Sequence, residues 1–312
     1  MSLERLIAVD WGTSSLRAWR FDAHGRVLAQ HRSDQGLLKV PPGGFAAVLR
    51  TAVGSWLQRD SVLLLSGMVG SRQGWAEAPY AAAPCGANEL AAALIEVPFD
   101  CRCFIVPGVM LRGIAAPDVM RGEETQLVGL DADADDDTGA GTGLAVLPGT
   151  HSKWVWREAG RITWFRTFMT GELFELLGQH GLLARSMSGE QIDAAGFAMG
   201  VAQARAPGGL LEKLFGLRAR WLFGELAAEQ QRGALSGLLL GTELNDALAA
   251  LKREAGPGAA RARRADLVAS PALAQVYGPL LEAAGFEVRV ADESAAARGL
   301  QRIAARAGLL SG

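Results

Sequence analysis

The sequence predicts an α/β protein made of two related halves, each containing a mixed β-sheet flanked by helices. Strand-like and helix-like segments follow one another in an order close to βββαβαβα, and this order occurs roughly twice along the 312 residues. A strand, a turn rich in Gly, Thr and Ser, and a second strand also occur near the start of each half, at residues 6–21 and 143–156. Hairpin strands followed by alternating strands and helices build mixed sheets with helices on both faces.

The composition agrees with a globular protein of two domains and excludes several classes of function. Hydrophobic residues make up 49% of the chain and charged residues 21%, which is enough for a large core. The net charge of −2 provides no basic surface for nucleic acid or anionic lipid. No signal peptide is recognisable, and no window of about 18 residues is apolar enough to span a membrane. We therefore expect no nucleic-acid partner and no membrane partner.

The three cysteines indicate a reducing compartment. Cys85, Cys101 and Cys103 are too few for a disulfide framework, and they lack the further ligands that a structural zinc site requires. We therefore expect free thiols and a cytoplasmic location.

The first half is predicted to begin with a three-stranded meander and to continue with alternating helices and strands. The predicted strands are Leu6–Val9, Leu16–Phe21, Arg26–His31, Ser61–Leu65 and Arg102–Val106, and the predicted helices are Phe45–Gln58 and Glu123–Leu130. A glycine-rich loop, Ser66–Trp75, follows the central strand, where open α/β sheets bind ligands. The acidic stretch Asp131–Thr138 lacks the Gly and Glu of a calcium loop, so we interpret it as a solvated connector.

The second half is predicted to begin with a second meander and to be mainly helical after it. The predicted strands are Leu144–Leu147, Trp154–Arg157, Ile162–Thr167, Leu267–Ala269 and Glu287–Val290. Helices are predicted from Thr170, from the capping-box sequence Ser188–Gln191, within Ala194–Leu251, and at Pro271–Ala284 and Ser294–Ala307. The segment Arg253–Arg264, rich in Gly, Ala and Arg, is predicted to be a solvated loop.

The two turns are the strongest functional signal. Asp10–Ser15 and Leu147–Lys153 each lie between strands, and their backbone N–H groups and hydroxyls are expected to converge on one point. Such a concave group of donors binds anions, above all phosphate. The candidate phosphate-binding residues are Gly12, Thr13, Ser14, Gly149, Thr150, His151, Ser152 and Lys153. His151 also fits a residue that only fills the turn, and Lys153 also fits an exposed strand lysine.

These motifs resemble those of the actin, Hsp70 and sugar-kinase superfamily, which has two duplicated ribonuclease-H-like domains around an interdomain nucleotide cleft. The two turns resemble its two phosphate motifs, and Thr170–Phe174 resembles its glycine-acidic helix start. Leu267–Pro271 and Asp292–Gly299 resemble its adenosine motif and its closing helix. The resemblance implies an N-terminal domain at residues 1–116 on the sugar-acid side. It also implies a C-terminal domain at residues 117–312 on the nucleotide side, with its closing helix at about residues 294–307.

Three blocks resemble the 2-dehydro-3-deoxygalactonokinase family more narrowly: Gly67–Trp75, Pro117–Gln126 and Pro148–Trp154. This resemblance implies an enzyme of galactonate catabolism that phosphorylates the terminal hydroxyl of 2-dehydro-3-deoxygalactonate, with ATP and magnesium. The second turn departs from the superfamily pattern, because Leu147 stands where many members carry an Asp. Ala269 and Ser270 replace a glycine pair in the adenosine motif, so the adenine contacts do not follow from the resemblance.

The resemblance also suggests roles for individual residues. Asp10 is predicted to hold magnesium through water, although it could also cap the turn. A carboxylate must accept the proton of the substrate hydroxyl, and Glu123, Asp118 and Glu124 are the candidates. We favour Glu123, at a predicted helix start, ahead of Asp118 in the loop before it. A carboxylate at a helix start also offsets the helix dipole, and this structural role is expected for one of the two glutamates.

The substrate is itself an acid, so an arginine is expected to bind its carboxylate bidentately. Arg72 is the first candidate, with Arg121 and Arg17 as alternatives, and Gln73 and Trp75 are expected to contact the sugar. Arg72 could equally be an ordinary surface arginine.

Two other functions fit the same scaffold. One is a non-enzymatic sugar or nucleotide sensor, and the other is a phosphohydrolase of the exopolyphosphatase type, because Gly122–Glu124 also resembles the helix start of those enzymes. The sequence allows a homodimer and does not determine the stereochemistry of the sugar acid.

Overall fold

The computed structural model describes residues 3–113, 116–130, 141–292 and 294–310. The strands are β1 Leu6–Trp11, β2 Leu16–Phe21, β3 Val27–Ser33, β4 Val62–Gly67, β5 Tyr80–Ala82, β6 Ile95–Val97, β7 Arg102–Ile105, β8 Gly108–Leu111, β9 Asp118–Met120, β10 Gly143–Leu147, β11 Ser152–Glu158, β12 Arg161–Phe168, β13 Arg264–Leu267 and β14 Glu287–Val290. The helices are α1 Phe45–Val53, α2 Ala87–Ala92, α3 Glu123–Leu130, α4 Thr170–Gln179, α5 Ala194–Arg205, α6 Leu210–Leu222, α7 Ala228–Glu254, α8 Gly256–Ala260, α9 Pro271–Ala283 and α10 Ala295–Arg306.

The two large sheets share one strand order. The first is β3-β2-β1-β4-β7-β6, and the second is β12-β11-β10-β13-β14. In each, a three-stranded meander is followed by later strands on the side of its first strand, three of them in the first sheet and two in the second. In the first sheet β1 pairs antiparallel with β2 and parallel with β4, as a mixed sheet requires. The predicted duplication of a mixed sheet with helices is therefore confirmed at the level of strand order.

The chain divides into two compact units by its internal contacts. The first comprises Met1–Ala145, Val155–Phe165 and Val290–Gly312, and the second comprises Val146–Trp154 and Arg166–Arg289. The core of the first unit is formed by inward-facing residues of the first sheet and of α1, including Trp11, Leu49 and Leu65. The core of the second unit is helical. The predicted domain boundary at residue 116 stays a prediction.

In the first unit α10 packs against α3 so closely that their backbones are in contact. A Cβ atom added at Gly129 would lie 1.8 Å from the carbonyl oxygen of Ala295, and one at Gly299 would lie 1.7 Å from that of Thr125. Only glycine fits at these two crossings. The predicted closing helix therefore lies against the helix that begins with Glu123.

Three details of the second half differ from the predictions. The capping-box sequence Ser188–Gln191 starts no helix; α5 begins at Ala194 instead, where the carboxylate of Asp193 accepts the Gly196 N–H at 2.7 Å. The predicted loop Arg253–Arg264 contains the end of α7 and the short helix α8, because the helical pattern continues past Leu251. The strand predicted at 267–269 lies at Arg264–Leu267. The acidic connector Asp131–Thr138 lies outside the described residues.

The third sheet, β5-β8-β9, was not predicted. Its strands are three or four residues long, too short to show a period of two. Of the helices that the structure describes, none is both long and apolar enough to cross a membrane.

Candidate active site

The first turn lies at the tip of the β1–β2 hairpin, as predicted. Its Gly12 N–H donates to the Ser15 carbonyl at 2.9 Å, and the side chains of Thr13 and Ser14 are exposed. A second segment covers the turn: the Leu37 N–H donates to the Gly12 carbonyl at 3.0 Å. The turn is thus fixed by backbone contacts while its hydroxyls face outward.

Gly36 makes the closest of these contacts. A Cβ atom there would lie 2.3 Å from the carbonyl carbon of Ser14. This glycine, which the sequence analysis did not single out, is required by close backbone approach.

Asp10 lies at the end of β1, next to this turn. Its side chain is 13% exposed, and its Oδ2 accepts the Arg17 Nη2–H at 2.5 Å. In the parallel register Asp10 lies opposite Ser66 of β4. The following Gly67 has a φ of 92°, and a Cβ atom there would meet the Trp11 carbonyl oxygen at 2.7 Å and Asp10 Oδ1 at 3.4 Å.

The start of α3 lies at the same place. Gly122 has a φ of 108°, and a Cβ atom on it would lie 3.2 Å from the Gly67 Cα. The Thr125 hydroxyl caps this turn by donating to the Gly122 carbonyl at 2.6 Å. The first unit therefore brings Asp10, Gly67 and the helix start at Glu123 together.

The three candidate carboxylates differ in their surroundings. Glu123 is partly buried, and its Oε2 accepts the Arg121 N–H at 3.1 Å. Asp118 was predicted to lie in a loop, and this is wrong: it begins β9, paired with Leu111 of β8, and its Oδ1 accepts the Val119 N–H at 2.7 Å.

Glu124 is fully buried. Its Oε2 accepts the Gly122 N–H at 2.6 Å, whereas Oε1 has no hydrogen-bond partner among the described residues. Burial, with a smaller contribution from the charge of Glu123, raises the pKa of Glu124 to about 8. Glu124 therefore supports the turn at Gly122 from inside.

The predicted sugar-acid residues are not equivalent. The Arg72 side chain is 86% exposed and forms a 3.4 Å ion pair with Glu77, and Gln73 is exposed as well. Trp75 instead is half-buried and packs against the core, stacked on Phe45 at 6.3 Å between ring centroids. Its ring is therefore engaged in packing.

Arg121 is enclosed. Its Nη2 donates to the Ala78 carbonyl at 2.8 Å, and its guanidinium lies 4.3 Å from the centre of the Tyr80 ring. Its Nε and Nη1 are buried without hydrogen-bond partners among the described residues. Arg121 therefore links the end of β9 to the segment before β5.

The second turn lies in the second unit, between β10 and β11. Gly149, Thr150 and His151 are exposed. The start of α4 covers the turn: a Cβ atom on Gly171 would lie 2.4 Å from the Gly149 carbonyl oxygen, and the Glu172 N–H donates to the Thr150 carbonyl at 3.0 Å. The Glu172 carboxylate also contacts His151 Nε2 at 2.5 Å. This is the predicted glycine-acidic helix start, placed against the predicted turn.

The last two residues of the second motif are buried. Ser152 is fully buried, and its Oγ lies 2.8 Å from the Tyr277 hydroxyl. Lys153 is 4% exposed, and its Nζ donates to the His151 carbonyl at 3.4 Å. The alternative interpretation of Lys153 as an exposed strand lysine is therefore wrong.

Glu243, which the sequence analysis missed, lies beneath this turn. It is 3% exposed in the middle of α7 and accepts the Trp154 Nε1–H at 2.8 Å and the Tyr277 hydroxyl at 3.0 Å. One signal could have found it. Glu243 occupies a position at helical spacing from Leu239 and Ala247, where the buried face of a helix should be apolar.

The adenosine motif and the closing motif are partly described. Ser270 caps α9, its hydroxyl accepting the Leu273 N–H at 3.4 Å. Glu293 lies outside the described residues. Among the residues that are described, no group of three or more His, Cys, Asp and Glu could hold a metal ion.

Comparison with known proteins identifies close relatives. A model of the 2-keto-3-deoxy-galactonokinase family matches residues 10–303. The chain is 39% identical over 306 residues to the probable 2-dehydro-3-deoxygalactonokinase DgoK1 of Rhizobium meliloti strain 1021, with 96% of each chain covered. It is 35% identical over 301 residues to the 2-dehydro-3-deoxygalactonokinase of Escherichia coli K12, with 96% of this chain and 97% of that one covered.

Solved structures agree on the fold. The crystal structure of a candidate 2-dehydro-3-deoxygalactonokinase from Sinorhizobium meliloti matches with a TM-score of 0.84 at 37% identity, covering 96% of this chain and 98% of the other. Component A of the (R)-2-hydroxyglutaryl-CoA dehydratase of Acidaminococcus fermentans matches with a TM-score of 0.50 at 11% identity, covering 97% and 98%. The second match concerns the fold alone. The predicted fold class is confirmed.

Proposed function

Because the chain belongs to the 2-keto-3-deoxy-galactonokinase family, we propose that it is an ATP-dependent kinase that phosphorylates the terminal hydroxyl of 2-dehydro-3-deoxygalactonate. The observation that carries the proposal is the position of α3. Its start at Gly122 lies against Gly67, whose own backbone lies against Asp10 and Trp11. This arrangement supports a catalytic role for the partly buried Glu123, because the first candidate phosphate turn begins directly after Asp10 and Trp11.

The reaction needs one proton acceptor and a site that stabilises phosphate charge. The terminal hydroxyl oxygen of the sugar acid bonds to the γ-phosphorus of ATP, the bond between that phosphorus and the ADP oxygen breaks, and the hydroxyl proton passes to a carboxylate. We assign this carboxylate to Glu123, with Asp118 as the second candidate. Glu123 is only partly buried, so substrate can reach it, whereas Glu124 is enclosed.

The two turns are proposed to bind the phosphate groups of ATP. The half-buried Gly12 and the exposed Thr13 and Ser14 provide donors in the first turn, and the exposed Gly149, Thr150 and His151 provide them in the second. Ser152 and Lys153 are buried, so we assign them the role of supporting the second turn from inside. The N-terminus of α4 beside that turn adds a favourable dipole for an anion.

Asp10 fits the role of a magnesium-binding residue. Mg²⁺ in phosphoryl-transfer sites is held by one or two carboxylates together with substrate phosphates, so a single partly exposed carboxylate beside a phosphate turn is a suitable donor. The ion would supply positive charge to the phosphates. Arg17 holds the carboxylate of Asp10 in place from the neighbouring strand.

Arg72 remains our candidate for the substrate carboxylate. Its guanidinium is exposed, and a 3.4 Å surface ion pair with Glu77 costs little to exchange for a substrate. The half-buried Arg121, whose Nη2 donates to the Ala78 carbonyl, is better suited to holding the segment before Glu123. We further propose a cytoplasmic location, which the free thiols of Cys85, Cys101 and Cys103 support.

The proposal is tested by measuring ADP release with magnesium and a panel of 2-dehydro-3-deoxy sugar acids that includes both C4 epimers. Release that depends on one of these acids is the expected result. Release of phosphate from ATP without any acceptor would instead indicate a phosphohydrolase. Turnover with none of the acids would contradict the kinase assignment.

Two variants then assign the base. Glu123→Gln is expected to lower kcat by about 10²- to 10⁴-fold while ATP still binds, because general-base catalysis contributes an effect of that size. Asp118→Asn should lower kcat less than Glu123→Gln does. Glu229→Gln, on the exposed side of α7, should have the kcat of the wild type. A larger loss in Asp118→Asn than in Glu123→Gln would reverse the assignment.

A further inference from the structure

A single buried carboxylate joins three elements of the second unit. Glu243 of α7 accepts the indole N–H of Trp154 on β11 at 2.8 Å and the hydroxyl of Tyr277 on α9 at 3.0 Å. The side chain of Thr170, the first residue of α4, also hydrogen-bonds to it. Strand β11 and helices α4 and α9 therefore meet at one group.

The bonds form a connected network. The Tyr277 hydroxyl also lies 2.8 Å from Ser152 Oγ, so the network extends to the first residue of β11. Ser152, Thr170 and Tyr277 are at most 8% exposed. A carboxylate in such a place is costly unless donors surround it, and at Glu243 they do.

Burial raises the pKa of Glu243, and the hydrogen bonds from Thr170, Trp154, Tyr277 and Ser152 act in the opposite direction. The four donors thus favour the charged form that burial disfavours. A hydrophobic residue at this position would leave all of these donors without their acceptor.

The network lies directly below the second turn. On one side, Ser152 immediately follows His151, the last exposed residue of the turn. On the other side, Thr170 is followed by Gly171, which lies against the backbone of Gly149. The next residue, Glu172, contacts Thr150 and His151. Glu243 therefore holds both the strand that leaves the turn and the helix start that covers it.

We propose that Glu243 is a positioning residue for the turn at Gly149–His151 and that it sets the affinity of this turn for the phosphates of ATP. The inference rests on the proposed function in assigning those phosphates to the turn. It goes further by identifying a side chain that touches no substrate and controls the site through Ser152, Trp154 and Thr170.

A purely structural role makes a different prediction. If Glu243 only stabilised the second unit, its replacement would lower the fraction of folded protein, and the folded fraction would bind ATP normally. If it positions the turn, folded protein would bind ATP more weakly. Nucleotide affinity measured on folded protein separates the two.

The test is isothermal titration calorimetry with magnesium-ATP and without any sugar acid. The proteins compared are the wild type and the variants Glu243→Gln, Tyr277→Phe and Asp246→Asn. Glu243→Gln keeps the size of the side chain but replaces one acceptor oxygen with a donor. Tyr277→Phe removes one hydroxyl from the network. Asp246→Asn removes an exposed carboxylate from the same helix and is the matched control. Circular dichroism verifies that each variant is folded.

We expect the Kd for ATP to rise roughly 10-fold in Glu243→Gln, an effect typical of residues that orient a binding group from behind. Tyr277→Phe should give a smaller rise, and Asp246→Asn none. In turnover assays the KM for ATP should rise while the KM for the sugar acid stays constant. Should Glu243→Gln fail to fold, Tyr277→Phe decides the question with the same measurements.

Wild-type affinity for ATP in both network variants would overturn the positioning role and leave the proposed function intact. A wild-type chain that binds no ATP would overturn the proposed function, and this inference with it.

Discussion

The two candidate phosphate turns each connect the first two strands of a large sheet, but the carboxylates next to them come from different elements. In the first unit the carboxylate belongs to the strand itself: Asp10 ends β1, is 13% exposed, and pairs with Arg17 of the next strand. In the second unit Leu147 ends the equivalent strand, and the carboxylate comes from Glu243 of α7. One carboxylate is partly open to solvent, and the other is enclosed by four donors.

This difference teaches that a duplicated turn need not be accompanied by a duplicated carboxylate. A partly exposed carboxylate is available to a cation brought by a ligand, whereas a fully bonded one acts on the backbone around it. What the two turns share is a glycine from another segment that covers them. Gly36 lies against Ser14 in the first unit, and Gly171 lies against Gly149 in the second.

The largest expected effect distinguishes the two carboxylates. Asp10→Asn should lower kcat by roughly 10²- to 10³-fold at saturating substrates, the loss typical when one charged element of a transition-state site is removed. Glu243→Gln should act mainly on ATP affinity. The measurement is kcat and KM for both variants, with thermal unfolding to verify that Arg17 tolerates the loss of its partner. Equal kcat losses in the two variants would contradict the division of roles.

The next effect addresses what the turns have in common. Gly36→Ala and Gly171→Ala should each lower kcat/KM for ATP about 100-fold, because a methyl group 2.3 or 2.4 Å from backbone atoms must displace the turn. The matched control is Gly178→Ala on α4, where the nearest atom to the new Cβ lies 3.7 Å away. It should retain wild-type activity. If kcat/KM for ATP stays at the wild-type value in one of the two variants, then only the other turn requires a glycine in the segment that covers it.

Local patterns of the sequence were sufficient for the turns and for most of the strands beside them. Gly, Thr and Ser between two apolar strands predict a hairpin tip from neighbouring residues alone, and the structure has both tips. The start of α3 was predictable for the same reason, because Gly122 and the two glutamates after it are a local signal. The position of this helix start beside Gly67 and Asp10 depends on the resemblance and on the fold, since these residues are far apart in sequence.

Features that depend on tertiary contacts could not be predicted in this way. Ser188–Gln191 has the spacing of a capping box, yet Asp193 caps α5 instead. The stacking of the half-buried Trp75 ring on Phe45 was not predicted, and its contact with a sugar stays a prediction. Glu243 is 89 residues from Trp154 in sequence, so its role is visible only once α7 is packed against β11.

The last prediction concerns stability rather than turnover, and it compares the two buried glutamates as acids. Burial raises the pKa of Glu124 from an ordinary 4.5 to about 8, with one oxygen lacking a partner among the described residues. The folded state therefore holds this proton more tightly than the unfolded state does. Protonated Glu124 therefore contributes to the free energy of unfolding. This contribution is fully present below about pH 4.5 and is lost as the pH rises through about 8.

Glu124→Gln mimics the protonated form and cannot titrate. The free energy of unfolding of the wild type, relative to this variant, should fall by on the order of a few kcal/mol between about pH 5 and about pH 8.5, measured by urea denaturation. Glu243→Gln should show the same sign with a smaller change, because hydrogen bonds at Glu243 oppose the effect of burial on its pKa. A difference that is constant with pH for Glu124→Gln would mean that the folded protein accommodates the Glu124 charge. In that case water or a ligand group must reach its unpartnered oxygen.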